Sequence, residues 1–202
     1  VAFGRSVLGI EVVRALRLQA DKLIIGAMLG ADALGIYFFA VNAGLGLATS
    51  FSTALATVLY PHLCASKERD ADFRRASRLS FGLIAPVVIV QALAAPLYVP
   101  MVFGAKWAEV APLVSVLCLA AIPAVLWSAT SQYLRASGLV GTEFRRSALI
   151  AVAMNGATLA AAPFGLTAVA WAFLLSAAVS QAVASWSPLR PGTGAVRLAP
   201  AH

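Results

Sequence analysis

Apolar positions along this chain come in long unbroken runs, separated by short polar punctuation. No charge occurs between Ala33 and Ser66, and uncharged runs also start at Leu79, Val110 and Leu166. A helix needs about 20 predominantly apolar residues to cross the hydrocarbon of a bilayer. The alternating pattern of an outer-membrane strand is not seen. The pattern predicts an all-α, polytopic membrane protein with about six transmembrane helices. Their expected spans are residues 5–29, 34–60, 79–101, 110–134, 143–162 and 166–187. Residues 1–187 then form a six-helix lobe, with a basic cytoplasmic link at 62–78. The Pro-, Gly- and Ala-rich residues 188–202 are expected to be a disordered cytoplasmic tail.

Finer periodicities add packing expectations. Ala40, Gly44, Ala48, Ser52 and Ala56 recur every fourth residue, as do Ala168, Ala172, Ser176, Ser180 and Ala184. Such small-residue ridges let membrane helices approach closely. Gly30-Ala31-Asp32-Ala33 reads as a tight turn, Trp107 as an interfacial anchor, and Pro86, Pro96, Pro100 and Pro123 as kinks in the third and fourth spans. The later half of the fourth span is polar for its setting, with Ser128, Thr130, Ser131 and Gln132.

The first span breaks the pattern. It carries Glu11, Arg14, Arg17, Asp21 and Lys22, which fall within an arc of about 140° on a helix. Ionisable groups at membrane depth are costly unless they face water or each other. The stripe therefore points to a polar pathway for a substrate or ion, to which Asn42 and Gln132 are added as candidates. The alternative is an amphipathic lead-in whose basic residues reach the headgroups.

Composition agrees with the class: 61% of residues are hydrophobic and 11% charged, with a mean hydropathy of +0.88. The net charge of +7 is explained by basic loops on one side, so no nucleic-acid partner is expected. If odd spans start inside, Arg5, Lys67, Arg69, Arg74, Arg75, Arg78, Arg135, Arg145, Arg146, Arg190 and Arg197 lie inside and Lys106 alone lies outside. That asymmetry predicts a multi-pass protein of the cytoplasmic (inner) membrane with both termini cytoplasmic. The basic link is expected to meet anionic headgroups of the membrane lipids.

Motifs for chemistry are missing: no GxxxxGK[ST] loop, no dinucleotide glycine fingerprint, no HExxH and no CxxC pair. Cys64 and Cys118 suit neither a disulfide frame nor a metal site, and Glu68, Asp70 and Asp72 read as a solvated loop among arginines. No enzyme, catalytic residue, cofactor or metal is expected. Transport, or helix assembly without transport, remains.

Four passages carry a family resemblance. DKLIIGAMLGADALGIYFFA, Asp21 to Ala40, resembles the "IIG…LG…LG.Y..A" passage near the middle of polysaccharide flippases of the multidrug/oligosaccharidyl-lipid/polysaccharide (MOP, MATE-like) exporter superfamily. VLYPHLCASKERD is similar to that family's "P.LS" segment, with Cys64 where Ser is usual. PLYVPMVFGAKWAEVAPLVSVL resembles its "FG..W..A…L" passage, and SQYLRASGLVGTEFRRSALI its "L.A.G.….R" connection. They occur in the family's order across most of Arg5 to Ala184. The resemblance covers the C-terminal lobe of a two-lobed transporter, so the chain, which opens on Val1, is expected to be half-length or a fragment. The implied partners are a missing N-terminal lobe or a second copy of the chain. The implied activity is flipping of a polyprenyl-pyrophosphate-linked oligosaccharide for cell-surface polysaccharide synthesis. Arg14, Arg17 and Lys22 would then meet the pyrophosphate, and Glu11 and Asp21 would neutralise those cations or bind a coupling ion. A cation-coupled multidrug exporter of the same superfamily and a non-transporting scaffold are the alternatives.

Overall fold

In a computed structural model the backbone is described for residues 2–189, and side chains for residues 19–186 with Ala15. The expected tail lies outside the described residues from 190 onward, as do the side chains of Glu11, Arg14 and Arg17. The described chain is all helical: α1 (Ala2–Ala65), α2 (Arg69–Phe103), a 3-10 turn (Ala105–Val110), α3 (Ala111–Leu119), α4 (Ala121–Ala136), α5 (Val140–Ala161), a second 3-10 turn (Ala162–Phe164) and α6 (Leu166–Leu189).

Gly30 divides α1 into two arms. Its backbone (φ 88°, ψ 176°) leaves the helix for a region open to glycine and almost nothing else. The arms fold back on each other. The Tyr37 hydroxyl donates to Asp21 Oδ2 at 3.0 Å, whereas 16 residues of straight helix would hold them about 24 Å apart. A Cβ on Gly26 would lie 3.2 Å from Leu34 Cδ2, and Lys22 Nζ sits 5.1 Å from the centre of the Phe38 ring. The expected turn at 30–33 is thus a one-residue break. Gly104 and Gly165 take nearly the same backbone angles where α2 ends and α6 begins.

Gly30→Ala is expected to cost about 1–3 kcal/mol from backbone strain alone, because nothing lies within 4 Å of the added methyl. Gly35→Ala, equally open but with no positive φ, is expected not to destabilise. Denaturant unfolding of the two variants in detergent checks the contrast.

Five stretches are long and apolar enough to cross a membrane among the described residues: Gln19–Ala65, Arg69–Phe103, Ala105–Ala136, Val140–Phe164 and Leu166–Trp186. The first of these takes in both arms of α1 around Gly30, and the early part of the expected first span, 5–29, lies outside the residues whose side chains are described. The expected link at 62–78 is largely absorbed into helices, since α1 runs to Ala65 and α2 starts at Arg69. Cys64 accordingly lies in the last turn of α1. Ser66 Oγ donates to Asp72 Oδ2 at 2.6 Å, and Arg69 Nε donates to the Leu63 carbonyl at 2.8 Å, which satisfies an acceptor at the end of α1.

Neighbouring helices alternate in direction, so their turns collect at two ends. At one end Phe39 stacks on Trp107 with ring centres 4.0 Å apart and meets Phe103 edge-on at 4.8 Å. At the other, Tyr133 of α4 donates to Asp70 of α2 at 2.6 Å and packs on Phe73. Lys67, Arg69, Arg74, Arg75 and Arg78 belong to this second end, and Lys106 to the first.

The ridge on α1 packs as its spacing predicts at Ala40, Gly44 and Ala48, which are buried. Of the ridge expected on α6, Ala184 alone is buried. Val169, Ala170, Ala177, Gln181, Ala184 and Ser185 form the buried stripe there, while Ala168, Ala172, Ser176 and Ser180 are half-buried. With Ala and Ser recurring on several faces of α6, the fourfold spacing of small residues does not fix which face turns inward. Pro86, Pro96 and Pro100 lie within a continuous α2.

Candidate functional site: a polar cavity between α1, α4, α5 and α6

The outside of the bundle is its apolar side. Leu79, Leu83, Val90, Leu93, Leu97 and Met101 form an exposed stripe along α2, with Leu93 77% and Met101 76% exposed. Trp171, Leu175, Val179, Val183 and Trp186 do the same on α6. Polar groups turn inward: Asp21, Thr130, Ser131, Glu143, Thr158 and Gln181 are buried.

Four helices enclose a cavity of about 180 Å³. Each contributes residues at helical spacing: Leu45, Ala48, Thr49 and Ser52 from the second arm of α1; Ala121, Ala124, Ser128, Ser131, Gln132 and Arg135 from α4; Glu143, Ser147, Ile150 and Met154 from α5; Phe173, Ala177 and Gln181 from α6. Steps of three and four keep side chains on one face of a helix. Trp127 also lines the wall.

An ion pair dominates its electrostatics. Arg135, in the last turn of α4, donates through Nε to both carboxylate oxygens of Glu143 at 2.9 Å. Glu143 lies in the first turn of α5 and is fully buried; the Arg135 side chain is 18% exposed. Ser131 Oγ donates to the same carboxylate. Both charges suit their helix ends, the cation at a C-terminus and the anion at an N-terminus. On α6, Gln181 is 2% exposed, and its Oε1 has no hydrogen-bond partner among the described residues. Its Nε2 faces the Met154 sulfur at 3.6 Å.

Of the residues singled out from the sequence, Gln132 lines this cavity. Asp21 and Lys22 do not. Asp21 is buried at the arm–arm contact, where it accepts from Tyr37 and from the Lys22 backbone N–H at 3.0 Å. Lys22 is half-buried over Phe38. Asn42 is exposed, outside the cavity lining, and donates to the Phe38 carbonyl at 2.7 Å. Arg135 and Glu143, which the sequence places beyond the fourth span and at the start of the fifth, are charges of the cavity wall. The signal was available in RASGLVGTE: a base closing one helix and an acid opening the next, in a protein whose other late spans lack charges.

No His, Cys, Asp or Glu cluster that could hold a metal is found among the described residues. The arrangement offers a shielded cation, hydroxyl and amide groups, and aromatic walls. It can bind and orient a polar ligand.

Helices apolar on their outer faces around a polar interior define a multi-pass membrane protein. The chain belongs to the family of polysaccharide biosynthesis proteins, whose pattern it matches over residues 1–112. It is 25% identical over 190 residues to the teichuronic acid biosynthesis protein TuaB of Bacillus subtilis (strain 168), an alignment covering 92% of this chain and 39% of that protein. The chain thus spans well under half the length of the curated relative it matches. No solved structure matches.

Proposed function

We propose that the chain is the C-terminal lobe of a MATE-like exporter of the multidrug/oligosaccharidyl-lipid/polysaccharide superfamily. With a second lobe it flips a polyprenyl-pyrophosphate-linked oligosaccharide across the cytoplasmic membrane for cell-surface polysaccharide synthesis. The observation that carries this reading is the polar cavity with a cation in its wall inside an apolar bundle, in a chain of a polysaccharide biosynthesis family. Ligand pockets usually measure about 300–1,000 Å³, so 180 Å³ holds one sugar or a diphosphate but no oligosaccharide. The cavity is therefore read as part of one wall of a larger path. The relative's greater length supports a second lobe, supplied by a separate N-terminal part or by another copy of this chain. The basic end faces the cytoplasm in this reading, and membrane lipids surround the rest. The protein acts as a carrier, without catalysis or cofactor.

The test is export by the complete, two-lobed protein in cells that lack their own flippase. Arg14→Ala and Arg17→Ala are each expected to abolish surface polysaccharide and to trap lipid-linked repeat units on the inner leaflet. Normal export by both variants, at normal protein levels, would remove the pathway role of the first helix. Resistance to cationic dyes without any polysaccharide phenotype would make the chain part of a drug exporter instead.

A further inference from the structure

The cavity charges have a use beyond architecture. Taking an ion pair out of water costs more than the mutual attraction commonly returns, and well-packed apolar residues fix a helix turn at least as well. The Arg135–Glu143 pair nonetheless sits in the wall of an open cavity, with Ser128, Ser131 and Gln132 beside it. In the α6 wall of the same cavity, the buried Gln181 Oε1 has no donor among the described residues. A buried amide oxygen left this way is costly, and it marks a position where a ligand hydroxyl donates. One wall thus presents a guanidinium held by an internal carboxylate, and the other an acceptor awaiting a donor.

We propose that the Arg135–Glu143 pair is an exchangeable clasp for the sugar-diphosphate part of a lipid-linked substrate. Phosphate oxygens replace the Glu143 carboxylate on Arg135, and a hydroxyl of the attached sugar donates to Gln181. The guanidinium fork matches phosphate as well as it matches carboxylate. Glu143 keeps the cation neutralised while the cavity holds no ligand. Exchange releases the first turn of α5 from the last turn of α4, which are otherwise bridged across Gly138, so loading loosens one wall of the cavity. This inference rests on the flippase reading and adds to it a binding site in the second half of the chain.

The experiment titrates inorganic pyrophosphate into the full chain in nanodiscs. Glu143→Gln removes the internal competitor and is expected to bind at least about tenfold more tightly than the unaltered chain, the effect of one charge-assisted hydrogen bond. The double variant Arg135→Gln/Glu143→Gln keeps the side-chain volumes nearly intact and is expected to bind at least about tenfold more weakly. If Glu143→Gln binds no more tightly, or the folded double variant binds like the unaltered chain, the pair only holds the helices together and the clasp is overturned. A water-soluble, short-chain prenyl diphosphate sugar forms the second arm, in the unaltered chain and in Gln181→Leu. Affinity above that of pyrophosphate, lost in Gln181→Leu, supports the lipid-borne headgroup; equal affinity assigns the site to free diphosphate and overturns that part. Export separates the two claims. Tighter pyrophosphate binding by Glu143→Gln alongside resistance to cationic dyes without any polysaccharide phenotype overturns the flippase reading alone. Abolished export with unchanged Glu143→Gln affinity overturns the clasp alone.

Discussion

Arg135→Gln by itself is expected to destabilise the bundle by about 3–5 kcal/mol, the cost of stranding one partner of a buried ion pair. Glu143 is fully buried, so without the guanidinium its charge loses the cation that donates to both its oxygens. The Ser131 hydroxyl bonded to it cannot neutralise it. Glu143→Gln is expected to cost less, because the Arg135 side chain is partly exposed and opens on the cavity. The double variant is expected to be more stable than Arg135→Gln, since two neutral side chains carry no desolvated charge. A double-mutant cycle from thermal unfolding in detergent measures the coupling directly. Additive losses, with the double variant as unstable as the two single costs combined, would show that the charges do not depend on each other.

The bundle was legible in the sequence wherever one physical constraint acted alone. Continuous apolar runs gave helices, because a backbone in lipid has to satisfy its own hydrogen bonds. Gly30 marks a break because it interrupts such a run. The fourfold ridge at Ala40, Gly44 and Ala48 packs because α3 presses against it. The face of α6 was not legible, since Ala and Ser recur on several of its faces, and only tertiary packing turns Gln181 inward. The cavity was half legible. Ser128, Thr130, Ser131 and Gln132 stand out as polar residues in the later half of a span, but Arg135 and Glu143 lie at helix ends, where a charge ordinarily meets headgroups. Asp21 and Lys22 drew attention as charges within a span. Asp21 turns out to hold the two arms of α1 together through Tyr37, a partner 16 residues away that no helical periodicity could supply.

Gly44→Val is expected to cost about 3 kcal/mol, the upper end for inserting methyl groups into a packed core. A Cβ at position 44 would lie 3.2 Å from the Cys118 backbone nitrogen and 3.2 Å from the Val114 carbonyl oxygen. Both belong to α3, and backbone atoms of a helix cannot step aside as the tip of a side chain can. Nor can α1 retreat easily. Gln91 Nε2 of α2 donates to the Ala43 carbonyl at 2.9 Å, and the Tyr98 hydroxyl approaches the same oxygen at 3.5 Å. Separating α1 from α3 would pull those bonds and open the cluster around Val114, Leu117 and Cys118, all fully buried. Gly46→Ala provides the contrast two residues further on. Nothing lies within 4 Å of its added methyl, and replacing a helical glycine by alanine contributes about 0.5–1 kcal/mol of stability. The two substitutions should therefore shift the unfolding midpoint of the isolated chain in opposite directions. Equal and small shifts would mean that α1 and α3 do not touch at Gly44, and the cavity wall built on the same arm of α1 would have to be redrawn.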